Sequence, residues 1–132
     1  MKKINLIRSI LALSLTSSLA LAIPPKLLIT HNQTSLESNA FVAGTIPSQH
    51  PTKANSEGRV MWASVRMACF GHVKNGRCPA LIKLGANTPT PLELGMVTID
   101  LNTGDIEPKE LHANGYTMLV NGPAETTLLA GE

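Results

Sequence analysis

The residues best suited to chemistry in this 132-residue chain are its two cysteines and two of its histidines: Cys69, His72, Cys78 and His112. Thiolate and imidazole groups are ligands for copper or zinc, and a thiolate beside an imidazole can act as a nucleophile with its base. The spacing, Cys-x2-His-x5-Cys with the second histidine remote, matches no specific metal motif. A bridge between the only two cysteines would withdraw both thiolates from either use. A second set, Asp100, Asp105, Glu107 and Glu110, has the residue type for acid–base work or calcium binding. These acids alternate with apolar residues around an expected surface hairpin, which is the pattern of a solvated face. The chain has no Gly-rich phosphate loop, no Gly-x-Ser-x-Gly and no His-Glu-x-x-His. The expectation is a protein that is not an enzyme and needs no cofactor. A small metal-binding or redox protein using Cys69, His72, Cys78 and His112 is the alternative.

The compartment follows from the first residues. Lys2, Lys3 and Arg8 precede or open an apolar run from Ile10 to Leu21, and Ala20-Leu21-Ala22 offers the small residues a signal peptidase requires. The run is shorter than the roughly 20 residues of a membrane-spanning helix. Residues 1–22 therefore read as a cleaved signal peptide of bacterial type, and the product as periplasmic or extracellular with no stable membrane span. The formal charge of +2 includes three cations of that segment, so the remainder carries eight basic against nine acidic residues, a net charge of −1. Without a basic stripe, and with one Trp, one Tyr and two Phe, nucleic acid is not an expected partner.

Residues 23–58 contain Pro24, Pro25, Pro47 and Pro51 among many Ser, Thr, Asn and Gln, with short apolar islands at Leu27-Leu28-Ile29 and Phe41-Val42. Little apolar area offsets the ordering cost there, so the segment reads as a flexible tail or linker in which His31 and His50 are solvated. Asn32-Gln33-Thr34 matches a glycosylation acceptor, relevant only to a eukaryotic secretory route.

Residues 59–132 read as one small β domain. Between Arg59 and Phe70, period two places Met61, Ala63, Val65, Met67 and Cys69 on one face and favours a strand, with Trp62 a candidate exposed aromatic. A helix would instead align Trp62, Val65 and Cys69. Asn75-Gly76 is the preferred pair of a type I′ hairpin turn, but that turn sets residue 73 opposite 78, which conflicts with a Cys69–Cys78 bridge. Strands are expected at Pro79–Leu84, Leu94–Leu101, Tyr116–Val120 and Ala124–Ala130, with Gly104 left-handed in a hairpin loop. Pro108–Leu111 reads as a turn or one helical turn, and Asn114-Gly115 as a tight turn.

The architecture expected is mainly β: a small antiparallel sandwich or open barrel of five to six short strands. The functional expectation is an exported, non-catalytic domain acting by contact with another protein or as an envelope structural component. Phe70, His72, Lys74 and Arg77 form the candidate interaction loop, clasped by a Cys69–Cys78 disulfide. A loop-displaying enzyme inhibitor is a further alternative, because a closed loop is preorganised for insertion.

Overall fold

The structure, a computed structural model, describes residues 23–132; the expected signal peptide, residues 1–22, lies outside them. Among the described residues, ten strands form two five-stranded sheets, accompanied by one helix. The strands are β1 Leu27–Asn32, β2 Ser38–Val42, β3 Ile46–Pro47, β4 Ser56–Met61, β5 Arg77–Leu84, β6 Leu92–Asp100, β7 Ile106–Glu107, β8 Glu110–Ala113, β9 Tyr116–Gly122 and β10 Glu125–Ala130. Helix α1, Trp62–Cys69, follows β4 directly. One sheet runs β4-β1-β10-β9-β8 and the other β3-β2-β5-β6-β7. All pairings are antiparallel except that of β1 with β10. The expected mainly-β sandwich is the architecture found.

Its strand number is larger than five to six, because residues 23–58 are not a flexible tail. They supply β1, β2, β3 and the start of β4, and both apolar islands become interior strands of their sheets. The missing stabilisation comes from distant partners: Leu27–Asn32 pairs with Met61–Ser56 on one side and Ile29–Asn32 with Glu125–Leu128 on the other. Alternation then turns Leu28, Thr30 and Asn32 inward. His31, expected to be solvated, faces outward but is held between carboxylates, with Nε2 2.6 Å from Glu125 and Nδ1 3.3 Å from Glu57. His50 is exposed.

The Asn32-Gln33-Thr34 motif is structural. Asn32 and Thr34 are each 1% exposed, too buried for modification. Asn32 Nδ2 donates to the carbonyls of Leu36 (2.8 Å) and Lys53 (3.1 Å), and its Oδ1 accepts from the Thr34 amide (3.0 Å) and hydroxyl (2.8 Å). These bonds satisfy the backbone where the chain crosses from β1 toward β2 and where the β3–β4 connection passes.

Three further expectations change. The segment 59–70 is not one strand: β4 ends at Met61 and α1 begins, with Trp62, Val65 and Cys69 on its buried side. Trp62 is accordingly buried, 5% exposed, and not a surface aromatic. Pro108–Leu111 is not only a turn, since β8 starts at Glu110. Gly104 is left-handed as expected (φ 80°), and a Cβ there would stand 2.6 Å from the Pro25 ring, so both conformation and space require glycine.

Asn32→Ala is expected to lower the unfolding free energy by about 3 kcal/mol in urea titration, since it strands several buried polar groups at once.

Candidate functional site

The candidate interaction loop begins where α1 stops. Trp62 anchors the helix: its amide donates to the Lys26 carbonyl (2.9 Å) and its indole Nε1 to the Leu101 carbonyl (3.0 Å). Arg66 donates to that same carbonyl (2.8 Å). Cys69 at the last helical position is bridged to Cys78 in β5, with the Cα atoms 5.9 Å apart. The conflict between this bridge and the Asn75-Gly76 turn disappears because Cys69 sits on a helix and not on a hairpin strand. The turn exists, with Asn75 at φ 53° and Gly76 at φ 76°, and is closed only by Lys74 and Arg77. Beyond Lys74 the chain turns away to reach the helix.

This anchoring leaves apolar side chains in water. Phe70 is 85% exposed and Met67, one turn earlier, 78%; Val73 is exposed beside them in sequence. Lys74 is exposed and His72 half-buried. Arg77 is not a free loop residue: its guanidinium lies 2.6 Å from Asp105 and 3.2 Å from the Thr98 hydroxyl. Between Glu57 and Glu93 the chain has no acidic residue, so the charged residues nearest the apolar group in sequence are the cations Arg66 and Lys74.

The set Cys69, His72, Cys78 and His112 does not provide the proposed thiolate ligands. Both sulfurs are spent in the disulfide, and His112 belongs to β8 in the opposite sheet. There its Nδ1 is 2.9 Å from the Thr117 hydroxyl and its Nε2 3.0 Å from Glu110. Among the described residues no cysteine is free, and no group of three His, Cys, Asp or Glu is placed to hold a metal.

Behind the loop, between the two sheets, lies a cavity of about 460 Å³. The Cys69–Cys78 bridge, Met118 and Leu128 form its inner wall. Gln49 and His50, from the β3–β4 connection, and Met67, from α1, line it while also being exposed, so the cavity reaches the surface between these two segments. Sequence reading missed it, because it depends on which positions face each other across the sandwich. The available signal was the small size of alternate residues in β2 and β5, such as Ser38, Ala40 and Ala80.

The family described as T2SS substrate NttC matches residues 1–131 of the chain. The chain belongs to this family. A solved relative, the Legionella pneumophila type II secretion system substrate NttC, is 54% identical, and its crystal structure superposes with a TM-score of 0.80 over 81% of this chain and 99% of that one. No curated protein matches. NttC membership makes this a secreted bacterial protein, in line with the export read from the sequence, and the sandwich is shared with the solved NttC. Among the described residues no helix is long and apolar enough to cross a membrane.

In this NttC-family chain the four acids are largely structural. The backbone amides of Asn102 (2.8 Å) and Thr103 (3.0 Å) donate to Asp100 and hold its carboxyl below the ordinary 3.8. Asp105 is lowered likewise, first by the hydrogen bond from Lys109 and then by that from Arg77. Lys109 is raised above 10.5, chiefly by Asp105 and secondarily by Glu107. Glu110 contacts His112. A lowered acid binds its proton more weakly when folded, so the stabilisation from Asp105 is complete above pH 3.8 and is lost as pH falls through its lower folded value. The Lys109 contribution is complete below 10.5 and lost above it. Asp105→Asn is therefore expected to flatten the acid limb of stability against pH, measured by urea unfolding from about pH 7 to about pH 3.

Reduction of the disulfide is expected to cost about 2–3 kcal/mol of stability for a loop this short, read by unfolding with and without reductant.

Proposed function

We propose that this secreted protein is a non-catalytic binding domain that acts by contact with another protein, through the surface made by Met67, Phe70 and Val73. The observation that carries the reading is the pair Phe70 and Met67, nearly fully exposed at the end of a helix that Trp62, Arg66 and the disulfide hold in place. Isolated apolar side chains on a surface are ordinary, but large ones presented one helical turn apart on a braced segment are suited to be interface anchors. Bracing lowers the ordering cost of binding. Arg66 and Lys74, unopposed by nearby acids in sequence, favour a partner with an apolar pocket rimmed by carboxylates. If the partner is an enzyme whose cleft takes Phe70, the same geometry supports inhibition.

The test is capture of proteins by the secreted chain, wild type against Phe70→Ser/Met67→Ser. The double variant is expected to melt at the wild-type temperature, because neither residue is in the core, and to lose the specific partner. Lys74→Glu is expected to slow association and weaken its salt dependence. A partner retained equally by the double variant, or none captured by the wild type, sinks this reading.

A further inference from the structure

The space between the sheets is too large to be ordinary packing. Protein interiors have the density of organic crystals, with few voids bigger than a water molecule. A volume of about 460 Å³ is instead within the range of small-molecule pockets. The sequence explains why it is open. Across one half of the sandwich the inward positions carry Thr30, Ser38, Ala40, Ala80 and Thr126, side chains too short to bridge a gap of about 10 Å between sheets. Both phenylalanines are spent elsewhere: Phe41 faces outward from β2, with the Lys83 ammonium 4.4 Å from its ring centroid, and Phe70 is in solvent.

The wall chemistry selects the occupant. Among the described residues no Lys, Arg, Asp or Glu lines the cavity, and the one titratable side chain in its lining is the exposed His50 at the mouth. An ionic ligand would lose hydration with no fixed countercharge to replace it. Geometry excludes a macromolecular segment in helical form, since a helix of about 10–12 Å diameter cannot enter a gap of one side-chain layer. An unbranched hydrocarbon chain can, because it is no wider than the aliphatic side chains that normally fill such a layer. At the mouth, Ser48, Gln49 and Ser64 offer uncharged hydrogen-bonding groups beside the His50 imidazole, and Ile46 and Met67 are its apolar lips. We infer that the cavity is a binding site for a single-chain amphiphile, its hydrocarbon tail between the sheets and a neutral polar head at the rim formed by the β3–β4 connection and α1. The site shares Met67 with the Phe70 surface but is not lined by Phe70 or Val73, so Phe70→Ser tests the two separately.

The experiment uses the secreted chain with N-phenyl-1-naphthylamine as fluorescent probe and monoolein as competitor. The wild type is expected to brighten the probe with saturation near one per chain, and monoolein to displace it at least tenfold more effectively than oleate anion. Ser64→Trp, at the rim, is expected to weaken probe binding about tenfold or more without changing the melting temperature. Ala80→Leu, within the cavity, is expected to abolish binding while holding or raising the melting temperature, since it fills space where a close-packed core would be strained. Phe70→Ser is expected to leave probe binding intact. No brightening, brightening unaffected by Ser64→Trp and Ala80→Leu but lost in Phe70→Ser, or destabilisation by Ala80→Leu with the Ser64→Trp signal intact would each overturn the site.

Discussion

The pairing of β1 with both β4 and β10 is the constraint from which the other features descend. Residues Leu27–Asn32 form six antiparallel partners with β4 and four parallel partners with β10, so this early segment joins the far end of the chain to its middle. Its register also starts the helix. The Lys26 carbonyl, just before β1, accepts the amide of Trp62, the residue at which β4 gives way to α1. A strand exposed on only one edge would leave its backbone groups to water; β1 has both edges satisfied, which accounts for order in a segment of such polar composition.

From that start the position of α1 determines the rest of the loop. One carbonyl, that of Leu101, accepts from both Trp62 and Arg66, and the disulfide ties the helix end to β5 in the opposite sheet. The helix is thereby a brace between sheets. Its buried side carries Trp62, Val65 and Cys69, and among the described residues Met67 and Phe70 stand exposed to solvent. The same brace forms one lip of the cavity, so the disulfide contributes both to the exposed surface and to the hollow behind it.

The distribution of large side chains is the second theme. A chain with two Phe, one Tyr and one Trp has little bulk to fill a sandwich, and only Trp62 among its aromatics is fully buried. Strands β6, β9 and β10 bring Leu94, Met118 and Leu128 inward, and the space opens between Met118 and Leu128 and the shorter Ala40, Ala80 and Thr126. Charge follows another partition, with Arg77, Asp105 and Lys109 closing the β6–β7 hairpin on the outside of the structure.

Local chemistry sufficed for part of this. Asn75-Gly76 and Asn114-Gly115 are left-handed turns because those residues tolerate positive φ, and Gly104 for the same reason; the alternation of β6 declared its inner face, and the paired cysteines their bridge. Other elements depended on partners that no local window contains. The residues of α1 fit period two and tolerate the helical period, and the anchoring carbonyls of Lys26 and Leu101 favour the helix. Leu27-Leu28-Ile29 is an apolar island until Glu125–Leu128 arrives from almost a hundred residues away, and His31 is a solvated tail residue until Glu57 and Glu125 flank it. Residue type alone grouped Cys69, His72, Cys78 and His112 as candidates; the fold joins the two sulfurs to each other and places His112 in the other sheet. A sequence pattern reports which residues are apolar or turn-forming; which backbone edge meets which, and how much space two facing surfaces leave between them, is decided by long-range pairing.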